Sequence, residues 1–240
     1  MTDSTRLQPL PGQIFEQLRE VSTATLTSQL YKLGFKHTFL HGVRPLNPRT
    51  RMAGEAVTLR FVPAREDIVA GNVTQDPAYP QRKIIEQIEP GQVLVVDCRG
   101  VTEAAAAGDI LMARMQARGA AGFVTDGGVR DYPSIAQMDF PVYAAAASAP
   151  FHWARHWAVD VNVPIGCAEV LVLPGDVVVG DGEGVVVMPR ETAAAVGQAG
   201  LEQEQLEQFV LEKVRSGAAL PGVYPPSEET LAEFRALDRS

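Results

Sequence analysis

Asp109, Arg130 and Asp131 are the residues whose types and spacing could do chemistry together. They lie within GDILMARMQARGAAGFVTDGGVRDYPSIA, residues 108–136. Asp109 is placed to cap a helix running to Arg118. The first amides of that helix, those of Ile110, Leu111 and Met112, would then face a small pocket. Such amides, at the positive end of the helix dipole, suit a carboxylate or phosphate. The segment FVTD reads as a buried strand running out into Gly127-Gly128, where missing Cβ atoms would let the backbone turn and approach a ligand. Arg130-Asp131 follow at the carboxyl end of that strand, where α/β proteins place ligands. Two carboxylates, one guanidinium and an anion-binding helix end make a kit for enolate chemistry. A carboxylate holds a divalent metal, the metal polarises a 2-oxo group, and the arginine neutralises charge as it develops. Each part also has a plainer reading. Asp109 alone reads as a helix cap, and Arg130-Asp131 alone as an exposed ion pair of small energetic weight. Residue types and spacing leave both readings open.

The elements that must position these groups are legible as alternating runs. Helices are expected over 13–20 and 25–33, the second stopped by Gly34. A strand is expected over 51–63, a helical turn over 84–88, and then, after Pro90-Gly91, an apolar strand over 93–97. A small-residue helix is expected to follow, and then the Asp109 helix. Further strands are expected over 141–145, 161–164, 177–181 and 185–189. A polar helix over 190–215 and a short terminal helix close the chain. PGQVLVVD at 90–97 is echoed by PGDVVVGD at 174–181, a Pro-Gly turn feeding a strand that ends in Asp both times. Strands alternate with helices in the middle and crowd together toward the end. This predicts an α/β architecture with mixed sheets. The 240 residues read as one domain over 1–240, with a loose tail at 1–12 and a helical extension at 190–240.

Other chemistries have less support. A net charge of -8, with no Lys/Arg cluster, disfavours a nucleic-acid surface. No apolar run approaches the roughly 20 residues of a membrane span, and no signal peptide is visible, so a cytoplasmic protein is expected. Cys98 and Cys167 lack a CxxC partner and read as buried free thiols. His152 and His156 are four apart but interleaved with Trp153 and Trp157 and lack an HExxH glutamate, so aromatic packing outweighs a metal pair. Thr23 and Thr25 read as helix caps, and residues 180–184, GDGEG, as a tight turn. No GxSxG elbow, P-loop or dinucleotide fingerprint occurs.

The spacing of Asp109, twenty residues, then Arg130-Asp131 resembles the D-x20-R-D signature of 4-hydroxy-4-methyl-2-oxoglutarate aldolases and RraA-like proteins. GDIL, RGAAGFVTDGGVRD, PIGCAEVLVLPGDVVVGDGEGVVVMP and PGVYPP are also similar to that family, over roughly residues 23–231. The resemblance implies an α/β sandwich related to swivelling phosphohistidine domains. It also implies homotrimers or homohexamers with active sites between subunits. Asp131 would hold Mg²⁺ or Mn²⁺ largely through water. Arg130 would bind the 2-oxo oxygen and stabilise a pyruvate enolate, and Asp109 would orient water and assist proton transfer. The amides of Ile110, Leu111 and Met112 would receive the substrate carboxylate. A glutamate from a neighbour's C-terminal helix would complete the site, best placed at Glu207, with Glu204 next. The implied activity is retro-aldol cleavage of a 4-hydroxy-2-oxo acid, with oxaloacetate decarboxylation beside it. Two other readings stay open: a non-catalytic regulator that binds an endoribonuclease, as some RraA-like proteins do, and a related hydrolase or dehydratase of sugar-derived oxo acids sharing the same site. One departure stands out. Ser134 occupies a place three residues after Asp131 where many members carry an acid.

Overall fold

A computed structural model describes residues 8, 10–69 and 76–237; most of the tail expected at 1–12 lies outside them. The first half runs α1 (Gly12–Glu20), α2 (Thr23–Lys32), β1 (Arg44–Pro45), β2 (Met52–Pro63), α3 (Glu66–Val69), α4 (Pro80–Gln87), β3 (Gln92–Asp97), β4 (Ala105–Ala107) and α5 (Asp109–Ala117). The second runs β5 (Gly122–Val129), α6 (Tyr132–Ile135), β6 (Val142–Ala147), β7 (His156–Val161), β8 (Ile165–Cys167), β9 (Val170–Val172), β10 (Val177–Gly180), β11 (Val185–Met188), α7 (Ala193–Arg215) and α8 (Glu228–Leu237).

The apolar runs explain how these elements layer. In β3, Val93 and Val95 pack into an inner cluster with Tyr143, Cys167 and Val178, while Leu94 and Val96 pack outward against Ile85 and Met112. A strand covered on both faces reads as a continuous apolar run rather than an alternating one. β10 does the same: Val178 faces the inner cluster, and Val177 and Val179 face Leu18 and Leu26 from α1 and α2. The sheet is mixed, as the sequence predicts. Its order is β1-β6-β5-β3-β2-β10-β11, with β4 added beside β5 and β7 beside β2. β2, β3, β5 and β6 run parallel, whereas β10, β11, β7 and β1 pair antiparallel with their neighbours. The sheet curls until its edges nearly meet. Leu40 N–H, just before β1, donates to Val185 O of β11 at 2.9 Å.

Two expected elements differ. The small-residue run before Gly108 is not a helix: Ala105–Ala107 form β4, parallel to the end of β5. Alanine's helix propensity is a weak preference that tertiary pairing overrides, and all three alanines are buried between neighbours. The strand expected over 161–164 instead ends at Val161, because Asn162 turns the chain with φ 54°. The strand itself starts earlier, at His156, and pairs with the second half of β2. The helix expected over 25–33 is α2, beginning at Thr23. Ser22 caps it by accepting from Thr25 N–H at 3.1 Å. Among the described residues no helix is long and apolar enough to cross a membrane.

Candidate active site

The strand β5 carries Arg130-Asp131 to the place where β4 ends. Arg130 N–H donates to Ala107 O at 3.1 Å, tying the exit of one strand to the exit of the other. Asp131 then takes the left-handed conformation, φ 58° and ψ 32°. Asp is among the few non-glycine residues that tolerate it. That turn brings its carboxylate back over the start of α5. Asp131 Oδ2 lies 3.3 Å from Arg130 Nε and accepts from Asp109 N–H at 3.4 Å. The chain therefore brings Asp109, Arg130 and Asp131 together across the intervening helix and strand. Both side chains of the ion pair remain open to solvent, at 43% and 36% exposure, as a site that admits a ligand must.

The start of α5 differs in detail from the expectation. Gly108, not Asp109, is the N-cap residue, and Asp109 is the first helical residue with no capping bond from its side chain. Its carboxylate is thereby left to line the cavity. Leu111 and Met112 N–H both donate to Gly108 O, at 3.1 and 3.2 Å, and Met112 is fully buried. Ile110 N–H has no such partner among the described residues. Gly127-Gly128 also serve another purpose than ligand approach. The strand continues through them, and a Cβ on Gly127 would lie 2.6 Å from Cys98 Sγ, one on Gly128 2.6 Å from Ser148 Cβ. They permit close packing of loops behind the site.

One cavity of about 450 Å³ joins these groups. Asp109, Ile110, Leu111, Arg130 and Asp131 line one side. Gln81 and Arg82 from α4, with Phe151, His152 and Trp153 from the turn before β7, make another. The sequence reading missed Arg82. Its signal was a cation in the first turn of a helix begun by Pro80, where the helix dipole opposes positive charge. His152 and His156 do not share a helix face. His152 sits in a 3-10 turn and His156 opens β7, and both rings stack on Phe61. His152 Nε2 and Tyr79 O–H share a hydrogen bond of 3.1 Å. Burial first, and the nearby Arg82 and Arg99 charges second, push the two imidazoles down to about 4. They pack as neutral rings, and no group of three or more His, Cys, Asp or Glu side chains poised for a metal occurs among the described residues. Cys98 and Cys167 are buried free thiols.

Asp126 steadies the site from behind. Its buried carboxylate accepts from Cys98 N–H at 2.7 Å and Gly100 N–H at 2.9 Å, holding the loop between β3 and β4. Burial raises its pKa. Glu207 is not a lining residue of the cavity within one chain; its carboxylate accepts from Gln203 Nε2 at 2.7 Å. Glu204 is engaged by Ser22 N–H at 2.9 Å. Ser134 is exposed in α6, and its N–H donates to Asp131 O at 3.0 Å.

A family model described as RraA-like, aldolase/RraA, matches residues 23–187, more than half of the chain and all of the site so far described except Glu204 and Glu207. The chain belongs to the RraA-like family. RraA-like relatives include a Thermus thermophilus protein named 4-hydroxy-4-methyl-2-oxoglutarate aldolase, 33% identical over 59% of this chain and 78% of that one. A Halalkalibacterium halodurans protein provisionally given the same name is 30% identical over 62% of this chain. The match spans only 64% of that relative's length. Among solved RraA-like structures, Streptomyces coelicolor RraAS2, described as an unusual member of the RNase ES inhibitor RraA family, superposes with a TM-score of 0.77. It is 30% identical and covers 86% of this chain and 100% of its own.

Proposed function

We propose that this chain is a divalent-metal-dependent carbon–carbon lyase that cleaves a 4-hydroxy-2-oxo acid to pyruvate and a carbonyl product. The observation that carries it is the contact of Arg130 and Asp131 at 3.3 Å, in one cavity with Asp109 and the open start of α5. The similarity to proteins named aldolases supports the same chemistry.

The donor set fits a hard cation that keeps most of its water. Two carboxylate-bearing residues line the cavity, one of them over a third exposed, and among the described residues no group of three or more His, Cys, Asp or Glu side chains forms a closed metal cage. Mg²⁺ typically binds through one or two carboxylates plus water. Asp131 would hold Mg²⁺ or Mn²⁺, which supplies Lewis-acid polarisation of the 2-oxo group when bound. The amide start of α5, where Ile110 N–H has no partner among the described residues, receives the substrate carboxylate, and Leu111 and Met112 form the turn behind it. In cleavage the C4 hydroxyl gives up its proton, the C3–C4 bond breaks, and its electron pair enters the enolate of pyruvate. Arg130 neutralises the negative oxygen as that charge develops, so its contact strengthens in the transition state. Asp109, the first residue of α5, handles the proton through water, and protonation at C3 then gives pyruvate. Oxaloacetate would lose carbon dioxide through the same enolate. In a homotrimer or homohexamer, Glu207 of the partner subunit would complete the proton path.

Pyruvate release from a panel of 4-hydroxy-2-oxo acids tests this, with Mg²⁺ or Mn²⁺ against chelated protein. Metal-dependent release that falls at least ~100-fold in Asp131→Asn is expected. No release from any acid, or from oxaloacetate, sinks the proposal. The similarity to RraAS2 favours a second reading, a regulator that binds an endoribonuclease without catalysis. Retention of a ribonuclease by a silent protein, unaltered in Asp131→Asn, would favour it.

A further inference from the structure

The lyase chemistry uses the wall of the cavity made by α5 and the end of β5, and leaves Arg82 without a role. Arg82 lines the same cavity from α4, beside Phe151, His152 and Trp153. Its Nε is buried and has no hydrogen-bond partner, and no carboxylate among the described residues pairs with its guanidinium. A desolvated guanidinium donor without an acceptor is costly, and the first turn of a helix is the least favourable place for a cation. The neighbours do not satisfy it. Gln81 Nε2 donates to Ala106 O, which pins the start of α4 against β4, and Gln81 Oε1, the acceptor on the adjacent residue, is itself buried without a partner. His152 is neutral, held low by burial and then by the Arg82 charge itself, and Tyr79 O–H already occupies its Nε2. The cavity, about 450 Å³, has room for more than a three-carbon oxo acid; sites for small ligands typically start near 300 Å³. Phe151 and Trp153, with ring centroids 4.2 Å apart, give this side an apolar wall, and lower local polarity strengthens an ion pair formed beside it.

We propose that Arg82 is a specificity-determining residue: its guanidinium binds an anionic group at the far end of the substrate, selecting 4-hydroxy-2-oxo acids that carry a second carboxylate. The inference rests on the lyase reading, with Arg130 at the reacting end and Arg82 at the distal end. A planar guanidinium fork matches a carboxylate in two parallel hydrogen bonds, which a terminal methyl or hydroxymethyl group leaves unmade.

The test compares kcat/KM for two 4-hydroxy-2-oxo acids that differ only in a terminal carboxylate or methyl group, using Mg²⁺-loaded full-length protein. The wild type is expected to prefer the dicarboxylate. Arg82→Gln is expected to cut that preference ~100-fold, mostly through KM. Arg82→Lys, which keeps the charge and loses the fork, is expected to cut it ~10-fold. Absence of a preference in the wild type, or equal losses on both acids in the two variants, overturns the proposal. In that case Arg82 supports only the cavity wall. Pyruvate release by the wild type from either acid preserves the lyase reading whatever Arg82 does. Release from neither removes that reading and this inference with it.

Discussion

At the scale of single residues, Gly108 decides whether Asp109, Arg130 and Asp131 can meet. Its backbone is extended, φ -125° and ψ -177°, so another residue could adopt it. A Cβ there would nevertheless lie 2.5 Å from Asp131 Oδ2 and 2.8 Å from Arg130 Cγ. Gly108→Ala therefore pushes the ion pair out of place while leaving the fold alone. Pyruvate release is expected to fall by about two orders of magnitude, since small misplacements at a reacting centre cost that much. Thermal melting is expected to move by only a few degrees, on the order of 1 kcal/mol. A fully active Ala variant would mean that the pair is not used where it stands. That Asp109, Arg130 and Asp131 lie together follows the expectation from the resemblance, whereas residue types and spacing alone left a plain helix cap and an exposed ion pair equally open. The cap was misassigned because Gly and Asp are both accepted N-cap residues; the close approach of Asp131 needs the one without a side chain. Arg82 was hidden because its neighbours in space, Phe151 to Trp153, are far away in sequence.

At the scale of elements, the two Pro-Gly echoes form the same local device in opposite settings. Gly91 and Gly175 both have positive φ, 81° and 88°. Each terminal Asp accepts from the N–H two residues on, Arg99 after Asp97 and Glu183 after Asp181, at 2.8 and 2.9 Å. Yet β3 runs parallel to β2, whereas β10 runs antiparallel to it. Turn and strand were thus readable from the motif, but direction was not, because direction depends on which edge of β2 is open. Asp181 also receives Thr23 N–H and Oγ1–H, each at 2.8 Å, joining the β10–β11 turn to α2. β7 gives the prediction at this scale. His152 and His156 titrate near 4 in the folded protein, below the 6.5 of a free imidazole. Between those values the unfolded chain binds protons that the folded chain refuses. Their contribution therefore weakens stability as pH falls from 6.5 toward 4, and is flat above 6.5. Asp97 and Asp126, raised by burial, act in the opposite sense just above the ordinary carboxylate range. The comparison with a variant isolates the histidine. His156→Gln is expected to remove on the order of 2 kcal/mol of the change between pH 6.5 and 4.5, read by urea unfolding at each pH. Parallel curves for the two proteins would contradict neutral burial of His156.

At the scale of the molecule, the mixed α/β class was legible from strand spacing and from apolar runs too continuous for a one-sided sheet. Closure of the sheet was not, since it depends on contacts such as Leu40 to Val185 between distant segments. The helical end of the chain, α7 and α8, contributes no residue to the lining of the cavity within one chain. Leu211, Leu220 and Tyr224 are exposed at 46%, 55% and 61%, and they share a surface hollow with Glu207. Exposed apolar side chains gathered in one hollow and rimmed by Glu and Gln fit association, in line with the homotrimer or homohexamer proposed above. Light scattering is expected to give three or six times the 25.8 kDa chain, and Leu211→Asp to lower both the mass and the activity. A monomer with full activity would remove Glu207 of the partner subunit from the proton path.

The most direct measurement is exchange of the pyruvate methyl protons with deuterium from solvent, followed by NMR with and without Mg²⁺. Pyruvate needs neither the distal pocket nor a carbonyl product, so exchange reports enolate formation alone. Metal-dependent exchange in the wild type, lost in Asp131→Asn and Arg130→Lys, is the expected result. Exchange that persists undiminished in Asp131→Asn, or that never occurs in the wild type, would contradict an enolate site at Asp109, Arg130 and Asp131.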